Sequence, residues 1–334
     1  MDSPEISLII RYCRPETIGR ALKSVRDQLW QQPEVSMELL IIDALGTAEN
    51  YQRFCEVEPS LMGEKSSTPV QIKDGLALRW ISSLRPLTRP QALQAGIDSV
   101  RGRLTMFLDD DDTFDPNHVE KLYYGYARAT AADSQVIAVS TGVRLIRALP
   151  SLTEQFEIVN LYDAPLDRRR LVLSNALPLL GFICSTEALR KCSVDLQLEI
   201  YEDWDLLLQL AQIGHFAHLP GITANYFFNT TGSGVHQGAL PEEVARRVRL
   251  KWIQKLNNVD FEKMRHDLAL TERLINENQA LTDNLSKSNL ALEKSNLALE
   301  NYRHLCAVMS QTISWKITAP LRRLRSILRQ ITQR

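Results

Sequence analysis

The chain has 334 residues, 44% hydrophobic and 24% charged, with a formal net charge of −1. That balance suits a soluble globular protein of about two domains, and the overall charge gives no pull toward nucleic acid. The five cysteines (Cys13, Cys55, Cys184, Cys192, Cys306) are scattered and include no CxxC pair. They build no disulfide framework, and the sequence predicts a reducing, cytoplasmic setting. The polar opening Met1-Asp-Ser-Pro-Glu-Ile6 is no signal peptide. The longest apolar stretch, Leu171 to Cys184, is broken by Ser174, Asn175 and Pro178, so no membrane-spanning helix is expected.

In chain order, Ile6-Ser-Leu-Ile-Ile10 reads as a strand. Ile18, Ala21, Leu22, Val25 and Leu29 then fall at helical spacing and predict a helix from about Glu16 to Trp30. Leu39-Leu-Ile-Ile42 is a second strand, ending at Asp43. Residues 46–75 read as a polar, weakly patterned insertion. A strand near Leu78 to Ser82, a helix from about Pro90 to Val100 and a strand at Leu104 to Leu108 follow. Strands alternating with helices of this length predict an α/β domain with a mostly parallel sheet. Ligands bind such sheets outside the carboxyl ends of the strands, where Asp43 and Asp109 both stand.

Four consecutive aspartates, Asp109 to Asp112, directly follow the apolar run Leu104 to Leu108. Like charges repel, and a charge leaving water needs a partner. A hard divalent cation, Mg²⁺ or Mn²⁺, is one such partner and also holds phosphate oxygens. The alternative is a solvated acidic loop capping the helix that begins near Pro116. Further on, a strand is expected near Val136 to Leu145. Tyr201-Glu-Asp-Trp-Asp205 opens a helix that runs to about Gln212, before Gly214. Helix capping alone accounts for acidic residues at such a start.

Beyond residue 241 helix formers dominate, and Lys287-Ser-Asn-Leu-Ala-Leu-Glu293 recurs identically as Lys294 to Glu300. Seven is the coiled-coil period. Leu285, Leu292 and Leu299 form one stripe, continued by Cys306 and Ile313. The partner stripe, Leu274, Leu281, Ser288, Ser295, Tyr302 and Met309, is weakened by its serines. The expectation is an imperfect coiled coil that forms a homo-oligomer; the alternative is a helix lying on its own domain. From Asn301 onward there is no acidic residue, while Arg303, Lys316, Arg322, Arg323, Arg325, Arg329 and Arg334 are present. With Leu321, Leu324, Leu328 and Ile331 on one face, the tail reads as a basic amphipathic helix suited to an anionic membrane surface. The expected divisions are therefore 1–240, 241–313 and 314–334.

Five segments carry a common pattern: Ile6-Ser-Leu-Ile-Ile-Arg-Tyr-Cys-Arg-Pro15, Leu39-Leu-Ile-Ile-Asp43, Arg89-Pro-Gln-Ala-Leu-Gln-Ala-Gly-Ile97, Phe107-Leu-Asp-Asp-Asp-Asp112 and Tyr201-Glu-Asp-Trp-Asp-Leu206. In this order and spacing they resemble the family 2 glycosyltransferases, inverting enzymes of GT-A fold, over about residues 5–235. The resemblance implies a metal-dependent, inverting transferase that moves a sugar from a nucleoside diphosphate sugar, UDP- or dTDP-linked, to a hydroxyl of a glycan or lipid-linked glycan. It implies that Arg11, Tyr12, Arg14, Asp43, Arg89, Asp109 and Asp110 bind the donor, with Asp43 on the base. Asp109, Asp111 and His236 are implied to hold Mn²⁺ or Mg²⁺, and Asp203 to be the catalytic base. Glu202, Trp204 and Asp205 fall on the acceptor side.

The chain departs from the family pattern after Asp43, where Ala44-Leu-Gly46 replaces the usual second aspartate and serine. Gln94 stands where asparagine is usual, and Gln209 where arginine is common. No Gln-x-x-Arg-Trp signature follows Asp203, which implies a non-processive enzyme. Ser310-Gln-Thr-Ile-Ser-Trp-Lys-Ile-Thr-Ala-Pro-Leu-Arg322 resembles a signature at the ends of bacterial enzymes that build surface polysaccharide such as O-antigen. That implies a place on the inner face of the cytoplasmic membrane. Two other readings stay open: a sugar nucleotidyltransferase, against which the glycine-free Arg11-Tyr-Cys-Arg14 loop speaks, and a catalytically degenerate domain serving as a binding module on a coiled-coil scaffold.

Overall fold

The computed structural model describes residues 3–28, 35–62, 68–148, 156–228, 240–255 and 258–311. In chain order the elements are β1 (Ile6–Tyr12), α1 (Ile18–Arg26), β2 (Met37–Asp43), α2 (Ala48–Val57), β3 (Val70–Lys73), β4 (Leu76–Ile81), α3 (Arg89–Ser99), β5 (Leu104–Asp109), β6 (Thr113–Phe114) and α4 (His118–Ala132). They continue with β7 (Val136–Ala148), β8 (Phe156–Tyr162), α5 (Arg168–Leu173), β9 (Phe182–Ser185), α6 (Thr186–Leu189), α7 (Glu202–Ile213), β10 (His215–Phe228), α8 (Leu240–Ile253) and α9 (Asn258–Gln311). The strands form one mixed sheet in the order β3-β4-β2-β1-β5-β9-β7-β10-β6, with β8 added beside β7. Strands β4, β2, β1 and β5 run parallel, as the alternating pattern predicts.

The apolar runs dictate this core. All seven residues of β1 are buried. Ile6, Leu8, Ile10 and Tyr12 belong to one cluster with Ile18, Leu22 and Val25 of α1 and Phe54 of α2. Burial of each such side chain contributes roughly 1.5–3 kcal/mol. Ile9 points to the opposite face and meets α3, where a Cβ on Gly96 would lie 2.6 Å from Ile9 Cγ2. Any larger residue at 96 would push the helix off the sheet. Helix α3 starts with a capping box, in which the Thr88 hydroxyl accepts from Gln91 N and the Gln91 side chain accepts from Thr88 N.

The described residues of the 46–75 segment carry more regular structure than their polarity suggests. They include α2, capped by Thr47, with Phe54 and Cys55 buried, and then the short strand β3. Phe54 and Cys55, with the partly buried Tyr51 and Val57, seat α2 on the core. Strands β8, β9 and β10 also lay beyond the periodicity; β9 is short and sits within the apolar run Leu171 to Cys184.

The chain divides into two compact units, Met1–Phe261 and Glu262–Arg334, so α8 packs within the first. In α9 the side chains of Leu281, Leu285, Leu292, Leu299 and Tyr302 are exposed. Ile313 and the basic tail lie outside the described residues, as do Trp30 and His236. Among the described residues no helix is long and apolar enough to cross a membrane.

Candidate functional site

Register brings the site together. Parallel pairing sets Arg11 beside Asp109 and Tyr12 beside Asp43, at the carboxyl ends of β1, β5 and β2. Arg11 grips Asp109 with two hydrogen bonds, Nε to Oδ1 and Nη2 to Oδ2, both 2.8 Å. Its Nη1 donates to Glu202 Oε1 at 2.5 Å. Arg89, the first residue of α3, also reaches Glu202 Oε1 at 3.2 Å and lies 4.0 Å from Asp109. Burial opposes these charges, but mutual pairing wins. Arg11 is held above the usual arginine range by Asp109 and Glu202, and Asp109 below the usual carboxylate range by Arg11 and Arg89.

The other aspartates have separate tasks. Asp110 is fully buried, and its Oδ2 accepts from Cys13 N and Arg14 N, both at 2.6 Å, which fixes the turn after β1. Its buried Oδ1 makes no hydrogen bond among the described residues and lies 3.8 Å from Arg14 Nε. Asp111 pairs with Arg14. Asp112 is buried and accepts from Phe227 N at 2.8 Å; burial and the nearby Asp109 push its carboxyl well above the usual range.

Asp203 sits in the first turn of α7. Tyr201, just before that helix, has a φ of 65°, the left-handed region that costs a non-glycine residue of order 1 kcal/mol. Asp203 Oδ1 accepts from Trp204 N at 2.7 Å. Burial, with Glu202 beside it, pushes the Asp203 carboxyl up to about 6 against the pull of Arg89 and Arg11. Asp203 lines a cavity of about 250 Å³ with Arg89, Asp109, Asp112, Tyr226 and Arg249. A carboxyl that titrates near 6 is mostly ionised at neutral pH yet more basic than an ordinary carboxylate, and in a cleft with arginines and further carboxylates it is suited to take a proton from a bound hydroxyl.

Several sequence expectations find other surroundings. Tyr12 is fully buried and packs edge-on against Phe54 and Trp80, so it is a core residue and not a free wall of the nucleotide loop. Asp43 is buried, with its Oδ1 accepting from Leu45 N and Gly46 N in the turn after β2. Gly46 there has a φ of +69° and no room for a Cβ beside Arg85. Glu202 and Asp205 are fully buried, with Glu202 Oε1 accepting from Arg11 and Asp205 Oδ1 from Trp252 Nε1. Trp204 borders the cavity but is buried, with Nε1 donating to Leu171 O at 2.6 Å.

The departures are accommodated. Gln94 Oε1 accepts from Val194 N, and Gln209 bonds both Ser193 and Asp205. Cavity residues missed by sequence reasoning are Tyr226, Tyr201, Asn175 and Arg249. Tyr226 lies near the end of β10, a strand that the local sequence pattern did not announce. Burial and the carboxylates of Asp112, Asp109 and Asp203 hold its hydroxyl protonated.

For a cation, Asp109 and Asp111 supply hard oxygen donors, and Asp110 Oδ1, with no hydrogen bond and Arg14 Nε only at 3.8 Å, leaves the cluster's negative charge loosely matched. The donor chemistry fits Mg²⁺ or Mn²⁺, with Arg11 and Arg14 as the present counter-ions. Among the described residues no three His, Cys, Asp or Glu side chains gather around one point, and His236 is outside them.

Residues 80–195 match the model of the family described as Glycosyl transferase family 2. That stretch holds Arg89 and the four aspartates and ends short of Glu202 and Asp203. No curated protein matches the chain. Among solved structures it is similar to S. aureus TarS, at 13% identity and a TM-score of 0.50, over 78% of this chain and 42% of that one. It is also similar to S. aureus TarS 1-349 in complex with UDP-GlcNAc, at 13% identity and a TM-score of 0.47, over 78% of this chain and 70% of that one. The chain therefore spans less than half the length of the first of these proteins. At 13% identity the likeness to the first of these is one of fold alone, a GT-A-like mixed sheet flanked by helices.

Proposed function

We propose that the chain is an inverting, non-processive glycosyltransferase that moves a sugar from a nucleoside diphosphate donor, UDP- or dTDP-linked, to a hydroxyl of a glycan acceptor. The observation that carries this reading is Asp203, with its raised carboxyl pKa of about 6, in one cavity with Asp109 and Arg89. The family match over residues 80–195 supports it.

In this reading the donor pyrophosphate lies over the carboxyl ends of β1 and β5. Asp109 and Asp111 hold Mn²⁺ or Mg²⁺, and a bound cation of this kind offsets negative charge on the leaving phosphates. Donor phosphate also offers Arg14 another anion, which frees Asp111 from its ion pair. Arg89 stays near the reacting bond, where its charge favours the departing diphosphate. Asp203 takes the proton from the acceptor hydroxyl as that oxygen attacks the anomeric carbon from the face opposite the leaving group. Such a base contributes ~10²–10⁴-fold. Glu202 keeps Asp203 in place through Arg11 and Arg89.

The long helix and basic tail extend the proposal. Exposed Leu285, Leu292 and Leu299 suit pairing between copies of the chain, and the tail suits the inner face of a bacterial membrane, where lipid-linked surface glycans such as O-antigen are assembled. A thermal-shift screen of nucleotide sugars with Mn²⁺ tests the donor class. A UDP- or dTDP-sugar should raise Tm, and no response to any nucleotide sugar would contradict the reading.

A further inference from the structure

Helix α7 begins without help from its own cap. Tyr201 is left-handed and supplies no side-chain hydrogen bond to the first turn. Capping bonds are worth about 0.5–2 kcal/mol, so that turn needs other tethers. Glu202 provides one toward β1. Asp205 provides the second, toward α8. Its carboxylate is fully buried, accepts from Trp252 Nε1 at 2.7 Å, and lies 2.9 Å from Lys251 Nζ. On its own helix, Gln209 Nε2 adds a hydrogen bond at 2.9 Å but no charge. The cation matching this buried anion thus comes from a helix 46 residues away in sequence and outside the family-matched stretch. The same helix lines the cavity with Arg249 and Ala245, and Arg249 Nε donates to Leu173 O at 3.1 Å.

We propose that Lys251 and Trp252 are positioning residues for Asp203: by gripping Asp205 they fix the first turn of α7, and they make α8 a working wall of the cleft. Asp203 lies between the two tethers. With the Asp205 tether loose, its carboxylate loses a defined direction even while the sheet stays intact. The turnover consequence rests on the sugar-transfer reading; the tether itself does not.

The test compares full-length wild type, Lys251→Met, and Lys251→Met with Gln209→Arg, which returns a cation to Asp205 from within α7. Amide hydrogen exchange at residues 202–206 should quicken about tenfold or more in the single variant and return toward wild type in the double, with Ile6–Tyr12 unchanged. Sugar transfer or donor hydrolysis should lose about tenfold or more in kcat in the single variant, with donor KM within about twofold, and recover in the double. Where Lys251→Met fails to fold, Trp252→Phe should show the same local loosening to a smaller extent. Unchanged exchange at 202–206, equal loosening of β1, or no recovery in the double variant would overturn the proposal. Because exchange needs no substrate, a wild type without turnover would refute sugar transfer while the exchange result still judges the tether.

Discussion

Arg11 Nη1 and Glu202 Oε1 meet at 2.5 Å across 191 residues of sequence and join the first strand to the start of the helix that carries Asp203. With Asp109 on its other edge, Arg11 neutralises two buried carboxylates at once. Arg11→Gln should therefore destabilise the fold by about 2 kcal/mol or more, since it leaves Glu202 and Asp109 with Arg89 alone, at 3.2 and 4.0 Å. Urea unfolding followed by circular dichroism measures this, and a loss below about 1 kcal/mol would show that the triad is not structural.

Asp203 should cost stability. Its folded carboxyl titrates near 6, above the ordinary value of 3.8, so the folded state binds a proton more tightly than the unfolded one. Below about pH 4 both states are protonated and there is no penalty; the penalty grows between about 4 and 6 and is full above that. Asp203→Asn keeps an acceptor for Trp204 N and removes the charge. It should be more stable than wild type by about 1–2 kcal/mol at pH 8, with the gain vanishing near pH 4. Thermal unfolding across that range tests the sign.

Nucleoside diphosphate binding should require a divalent cation and Asp111. Titration calorimetry with UDP or dTDP should show tight binding with Mn²⁺, and loss of about tenfold or more with EDTA or in Asp111→Ala. Equal affinity under all three conditions would leave Arg11, Arg14 and Arg89 as the sole phosphate partners.

The long helix and the tail should act separately. Full-length protein should be oligomeric in light scattering and should co-sediment with anionic vesicles at low salt, less so at high salt, as basic residues contribute about 1 kcal/mol each at such a surface. Truncation after Phe261, where the first compact unit ends, should give a monomer that still binds donor. A monomeric full-length chain would remove the coiled-coil assignment.

Much of the first half of the fold was legible because β1, β2 and β5 are continuous apolar runs closed by polar residues, and each βα step follows from period and length. The Asp109 to Asp112 cluster and Asp203 were visible for the same reason: charge sits where a buried strand or an apolar helix begins or ends. Residue roles were less legible. Asp110, Asp112, Glu202 and Asp205 look like Asp109 and Asp203 in sequence, yet one oxygen of each is engaged by Cys13 N, Phe227 N, Arg11 or Trp252, partners set by tertiary contacts. Tyr12 is expected at the donor because its segment resembles the family's first strand and nucleotide loop, but strand alternation turns it away from Arg11 into the apolar cluster. Arg249 and Lys251 sit in an ordinary charged helix pattern, and only the packing of α8 brings Arg249 to the cleft and Lys251 to Asp205.

The most direct test of the account is turnover of a nucleotide sugar by wild type and Asp203→Asn over pH 5 to 8. The account predicts that wild-type kcat rises through an apparent pKa near 6 and then levels, as the Asp203 carboxylate forms. It predicts that Asp203→Asn binds donor as wild type does but loses ~10²-fold or more in kcat. Near-normal turnover by Asp203→Asn, or a wild-type profile flat across this range, would contradict the assignment of Asp203 as the base.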